Sequence, residues 1–353
     1  MEKLQEIQRA LQKQKIDLAL LINTTIKDPT MLYLTGLNLE YSFLIIPKNE
    51  QPIFLVSALE YERAKKYSAV KKIVKYQNPW KEIKKLLKGK TTIGINEAYI
   101  TIATKKALEK AIVGKKYKPT DAIYKVVRMI KTEEEIKKLQ KAAAIADTIF
   151  EKLTRELKIN RNMFKTEKDI AEFIDQKAKT WGDDPSFETI VASGKNAALP
   201  HYVPQDIRLQ RGFCVLDFGV RYKNYISDIS RTIFFGTPTK EEIINYTKVR
   251  NANERAIKEL KINKRLKDID KLSRKEFTYP HSLGHGIGIE VHEGPNVSPK
   301  SKERIKENMC FTIEPGMYIP EKCGIRIEDD IWMTTNGPVQ MTKSTKELLC
   351  FDE

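Results

Sequence analysis

The chain is poor in histidine, tryptophan and cysteine, with four, three and four of them in 353 residues. Cys214, Cys310, Cys323 and Cys350 form no Cys-x-x-Cys pair, which excludes zinc-ribbon and thioredoxin chemistry and leaves reduced thiols as the expectation. Long apolar runs are lacking too. The longest patches, such as 18–22 and 43–46, fall far short of the roughly 20 residues a membrane helix needs. The first residues, Met-Glu-Lys-Leu-Gln-Glu-Ile-Gln-Arg, have neither the apolar core nor the cleavage site of a secretory signal. The expectation is a cytoplasmic protein with no membrane partner.

Acidic residues are in deficit: 63 Lys and Arg face 47 Asp and Glu, a net charge of +16. Residues 1–121 hold 23 basic and 12 acidic residues, a net of +11, so the excess is local and densest between Arg63 and Lys90. Lysine outweighs arginine there and aromatic residues are sparsely interleaved, which fits a solvated surface better than a nucleic-acid interface. Length predicts two domains.

The first third alternates short helix-like and strand-like segments, the mark of an α/β unit. Leu4, Ile7 and Leu11 fall at helical spacing; 17–22 reads as a buried strand; 41–47 and 52–56 read as a strand pair; Asn78 and Pro79 open a helix over 80–87; 92–95 is a strand and 104–112 a helix. This third contains no histidine. The pattern loosens over 115–131. Then Thr132 to Glu135 forms a capping box before a stripe of Ile136, Leu139, Ala143, Ala146, Phe150 and Leu153. We place the domain boundary at residue 121, giving domains 1–121 and 122–353, with further helices opening at Thr166 and near Thr239.

The second domain concentrates the chemistry. Residues 213–235 alternate as a hairpin centred between Tyr222 and Lys223, which is also the midpoint of Asp217 and Asp228. The two aspartates are therefore predicted as cross-strand partners with Cβ atoms about 5 Å apart. Such a pair repels unless a proton or cation lies between, and a divalent metal is the natural resolution; the alternative is two solvated aspartates on unrelated strands. Glu314 and Glu328 allow a second face-matched hairpin, about Glu321, with Arg326 on the same face; an exposed Arg/Glu ladder is the alternative. All four histidines, His201, His281, His285 and His292, lie in this domain. His281 and His285 are four apart, but Gly284, Gly286 and Gly288 argue for a loop rather than a helix.

Several blocks in order, Gly-Lys-Asn-Ala-Ala-Leu-Pro-His201-Tyr, Leu-Asp217-Phe-Gly, Ser-Asp228-Ile-Ser-Arg-Thr, His-Ser-Leu-Gly-His285-Gly-Ile-Gly, Val-His292-Glu-Gly-Pro, Thr-Ile-Glu314-Pro-Gly and Gly-Ile-Arg-Ile-Glu328-Asp, resemble the Xaa-Pro branch of the creatinase/aminopeptidase ("pita-bread") metallopeptidases. The resemblance implies an α+β fold: a catalytic domain of curved antiparallel sheet flanked by helices, preceded by a smaller α/β domain. It implies two divalent metal ions per chain, Mn²⁺ or Co²⁺ with Zn²⁺ as a further candidate, held by Asp217, Asp228, His285, Glu314 and Glu328. Glu314, His201 and His292 take catalytic roles in it, and His281, Arg326 and Tyr202 substrate-binding ones. The implied activity is hydrolysis of the bond before proline in small peptides by a homodimer. It reads as an Xaa-Pro dipeptidase, with aminopeptidase P as the alternative and a metal-free nucleic-acid or protein-binding module as a distant third. Prolidases of this family often carry arginine just after the His-Glu-x-Pro block, where this chain has Asn296.

Overall fold

Alternation of side chains along a strand sends Ala19 and Leu21 to one face of Leu18–Asn23 and Leu18, Leu20 and Ile22 to the other. Both faces are buried, each under its own apolar cluster. The chain is described here by a computed structural model covering residues 2–352. It divides into two compact units, Met1–Arg128 and Met129–Glu353.

In the first unit this strand is central in a six-stranded mixed sheet, flanked by Ser42–Pro47 and Thr92–Ile95; Ile53–Val56 and Lys72–Lys75 extend one side and Lys116–Pro119 the other. Asn78 caps the Pro79–Leu86 helix by accepting from the Lys81 N–H. The stretch that looked patternless holds the Lys116–Pro119 strand, an exposed edge with no buried face to impose alternation. It also holds the Asp121–Met129 helix, which lays Ile123, Tyr124 and Val127 into the first unit's core. The division between units accordingly falls after Arg128, not after residue 121.

The second unit is built on two larger sheets, with a three-stranded and a two-stranded sheet in addition. A four-stranded sheet runs Cys350–Phe351, Ile229–Phe235, Gly212–Phe218, Ile190–Ser193, and a five-stranded sheet runs Glu293–Val297, Gly284–Gly286, Cys310–Ile313, Asp329–Thr334, Gly337–Gln340. The Glu133–Ile159 and Glu167–Trp181 helices cover the first through Ile149, Phe150, Leu153, Ile170 and Ile174. Lys240–Lys258 and Leu266–Ser273 cover the second through Ala256, Leu266 and Ile269. This is the sheet-and-helix α+β arrangement the resemblance implied, following the α/β unit in the chain.

One predicted register is corrected. The hairpin turns at Lys223 and Asn224, both left-handed (φ 48° and 70°), as a two-residue turn matched to strand twist requires. Asp217 therefore lies opposite Ser230 rather than Asp228. Asp228 remains on the same face, two residues before Ser230, because side chains alternate with a period of two. The second hairpin keeps its predicted centre: Gly316–Ile319 pairs with Cys323–Arg326 and Cys310–Ile313 with Asp329–Thr334 in one register about Glu321, whose φ is 57°.

The Glu133–Ile159 helix starts at the anticipated box: Thr132 Oγ1 accepts from the Glu135 N–H (3.3 Å) and Glu135 Oε2 accepts from the Thr132 N–H (2.7 Å). Thr132→Ala is expected to lower unfolding stability by about 1 kcal/mol in urea titration, and no measurable change would show the cap to be idle.

Candidate metal centre

The seam between the two sheets places the acidic side chains. The Glu328 N–H donates to the Ser230 carbonyl (3.0 Å), and Thr232 Oγ1 both donates to the Arg326 carbonyl and accepts from its N–H. Arg231, fully buried, donates to the backbone carbonyls of Ser230, Glu328 and Ser344 and pairs with Asp329 (2.7 Å), fixing the backbone on both sides of the seam. The Asp228 N–H is held by the Asp330 carboxylate (3.0 Å) and the Glu314 N–H by the Leu283 carbonyl (2.7 Å). His285 lies on the short Gly284–Gly286 strand. A Cβ at Gly284 would sit 1.9 Å from the Thr312 carbonyl oxygen, so only glycine lets this strand approach its neighbour.

Asp228, His285 and Glu328 each present a ligand atom within 4.8 Å of the others. His285 Nε2 stands 3.6 Å from Asp228 Oδ2 and 3.5 Å from Glu314 Oε1. Asp217 joins through Arg326, whose Nη2 donates to Asp217 Oδ2 (2.6 Å) and whose Nε donates to Ser230 Oγ (2.9 Å); Ser230 Oγ in turn donates to Glu328 Oε2 (2.7 Å). The five residues of the predicted ligand set thus come together, with Ser230 and Arg326 as links between them.

Burial, then the neighbouring carboxylates with Glu328 foremost, holds Asp228 well above the usual carboxylate range. Glu314 is raised in the same way, against a lowering contribution from Arg326. Glu328 is pushed up to about 8 by burial and by Asp217. Burial takes the His285 imidazole down to about 3, with His292 adding to the effect, so it is neutral with a lone pair to offer. Asp217 Oδ1 and Glu328 Oε1 are buried with no hydrogen-bond partner. Crowded carboxylates, orphaned oxygens and a neutral imidazole fit hard divalent cations.

The remaining candidates gather nearby. His281 donates or accepts at Nε2 with the Tyr318 hydroxyl (2.9 Å), and its Nδ1 is 3.8 Å from Glu314 Oε2. Its pKa falls to about 4, chiefly through burial. The His292 ring meets the His285 ring edge-on at 4.3 Å. His201 is exposed and close enough for its charge to act on both His281 and His292. The Tyr202 hydroxyl is turned to Asn196 Nδ2 (3.0 Å) and to Glu167. Asn296 is exposed, in register with His285. Sequence reasoning assigned no role to Ser230, Arg231 or Tyr318. Parity was the available signal for two of them, since Ser230 has that of Asp228 and Tyr318 that of Glu314; no pattern marked Arg231.

A seam between two sheets that gathers acidic side chains and a histidine suits a metal-dependent hydrolase. The model of metallopeptidase family M24 matches residues 137–335, and that of the creatinase/prolidase N-terminal domain matches residues 3–130. The Xaa-Pro dipeptidase of Pyrococcus furiosus is 36% identical over 358 residues, covering 99% of each chain. Among solved structures, an Xaa-Pro dipeptidase from Bacillus anthracis superposes with a TM-score of 0.92 at 33% identity over 99% of each chain. An X-Pro aminopeptidase from Thermotoga maritima superposes at 0.87 and 30% identity, over 97% of this chain and 98% of that one. The chain belongs to metallopeptidase family M24 and is a hydrolase of the divalent-metal type. Among the described residues no helix is long and apolar enough to cross a membrane.

The raised carboxylates fix the sign of a pH effect. The folded, metal-free protein holds protons on Asp228, Glu314 and Glu328 that the unfolded chain releases near its ordinary values, so stability falls as pH rises. For Glu328 the window runs from its ordinary value of 4.5 to about 8. The melting temperature of metal-free protein is expected to drop across this window and that of metal-loaded protein to stay level; a flat metal-free profile would contradict the assignment.

Proposed function

We propose that this protein is an Xaa-Pro dipeptidase that hydrolyses the bond before proline in small peptides. The observation that carries the reading is the convergence of Asp217, Asp228, His285, Glu314 and Glu328 on one buried locus with orphaned oxygens. These five residues would hold a pair of divalent ions, Mn²⁺ or Co²⁺ by the hardness of the donor set, with Zn²⁺ as a further candidate. Bound metal supplies Lewis acidity and a water acidic enough to be a nucleophile at neutral pH.

The chain's own residues do the rest. Glu314, part-buried and with a raised proton affinity, would act as its carboxylate, accepting a proton and returning it to the leaving nitrogen, which is tertiary before proline. His292 and His201 supply N–H groups to the oxygen that gains charge as the carbonyl is attacked. His281, Arg326 and Tyr202 line the substrate side, with Arg326 oriented by Asp217 and Tyr318. Aminopeptidase P is the second reading, favoured by the exposed, uncharged Asn296 and by the fold shared with the X-Pro aminopeptidase. A cytoplasmic homodimer without a nucleic-acid partner completes the proposal.

Metal-stripped protein reloaded with Mn²⁺ or Co²⁺ is expected to cleave Leu-Pro. Cleavage of Leu-Pro-Ala alone would select aminopeptidase P, and cleavage of neither would end the peptidase reading. Asp228→Ala is expected to lower kcat by more than about 100-fold at unchanged fold by circular dichroism; wild-type turnover would remove Asp228 from the ligand set.

A further inference from the structure

The loop that carries His201 is fastened by a carboxylate with no part in the chemistry just described. Glu167 is the first residue of the Glu167–Trp181 helix, and it is 0% exposed. A residue at that position ordinarily faces solvent, and this helix does not need it as a cap. Thr166 and Asp169 already satisfy the helix start as a complete capping box. Glu167 is instead turned into the protein. Its Oε1 accepts from the Ser193 N–H (2.8 Å), Ser193 Oγ (2.9 Å) and Asn196 Nδ2 (3.1 Å), and its Oε2 accepts from the Gln205 N–H (3.3 Å). Ser193 and Gln205 bracket the loop, and Asn196 ties Glu167 to Tyr202, the residue after His201.

The opposite side of the loop is fixed by the metal-centre hairpin. Arg326 Nη1 donates to the Pro200 carbonyl (3.3 Å) while Nη2 of the same guanidinium holds Asp217. Gly324 backs so closely on Ala197 that a Cβ there would lie 1.7 Å from the Ala197 carbonyl oxygen. Residues 194–204 are thus clamped between a buried anion and the hairpin, and His201 projects, exposed, from the clamped segment. Burying a carboxylate is costly unless its charge is matched by donors, and here the four donors lie on Asn196 within this loop and on Ser193 and Gln205 at its two ends.

We propose that Glu167 is a positioning residue that acts through His201, its charge holding the 193–205 loop so that the imidazole is presented to the substrate carbonyl. The inference rests on the reading of His201 given above. A misplacement of about 1 Å in such a group costs on the order of 100-fold in rate. In metal-loaded, full-length enzyme acting on Leu-Pro, Glu167→Gln turns an NH₂ group towards donors it cannot accept from. It is expected to lower kcat about 10- to 100-fold, with KM within about twofold and metal content unchanged. In a His201→Ala background the same change is expected to have almost no further effect on kcat. Asp175→Asn, on the same helix, neutralises the carboxylate that accepts from Thr189 Oγ1 (2.6 Å) without touching the loop and should leave kcat as it is. Amide exchange over 194–204 should quicken in Glu167→Gln and not in Asp175→Asn.

Equal kcat losses from Glu167→Gln with and without His201, or unchanged exchange over the loop, would overturn the proposal. Should Glu167→Gln fail to fold, Asn196→Ala carries the same cycle. The two readings fail separately. A wild-type enzyme that does not cleave Leu-Pro refutes the dipeptidase reading and leaves loop exchange to decide whether Glu167 holds the loop. A fully active His201→Ala refutes the role of His201 and the inference with it.

Discussion

Mutual repulsion among Asp217, Asp228, Glu314 and Glu328 is the constraint around which the second unit is organised. Carboxylates this close and this buried cannot all be ionised unless positive charge is supplied. Arg326 forms its ion pair with Asp217, and its other hydrogen bonds go to Ser230, Tyr318 and Pro200, so one guanidinium faces four carboxylates. The balance is left to protons in the metal-free protein and to divalent ions in the working one. The site therefore stores an unfavourable electrostatic arrangement that metal binding relieves, which makes metal affinity and fold stability linked quantities.

An arrangement of that kind must be held by something other than itself. Arg231 lies behind the site, where it crosses the seam by gripping backbone carbonyls on both strands and is neutralised by Asp329, which also pairs with Lys346 (2.6 Å). Removal of one partner from such a buried network leaves an uncompensated charge, so its cost exceeds that of a surface ion pair. Asp330 restrains the Asp228 backbone, and Thr312 restrains that of His285. These two candidate ligands are thus fixed through their main chains, which leaves the Asp228 carboxylate and the His285 imidazole available.

Much of the fold was legible because its signals are local. The helix starts at Thr132, Thr166 and Thr239 sit where the residue pattern placed them, and each is a capping box closed by side-chain to backbone bonds spanning three residues, of which only the first was expected. The Glu321-centred hairpin was legible because a period-two pattern persists through Pro315 and Gly316. The first hairpin slipped because alternation sets the face and not the partner. The choice between Asp228 and Ser230 opposite Asp217 was made by the left-handed turn at Lys223 and Asn224. The Lys116–Pro119 edge strand and the Asp121–Met129 helix left no clear pattern between them, since an exposed edge imposes no apolar alternation.

By itself the sequence determined the identity of the ionisable groups, the face each occupies on its strand, and the scarcity of histidine that makes four in one domain informative. These follow from composition and from periodicities that act over a few residues. Only the tertiary structure decided that Ser230 and Arg326 link two carboxylates, that Arg231 ties the sheets, and that Glu167 is turned inward to hold the His201 loop. Those contacts join residues from 26 to 126 positions apart. A hydrogen bond between such partners depends on where packing brings two backbones together, and no short-range pattern encodes that distance.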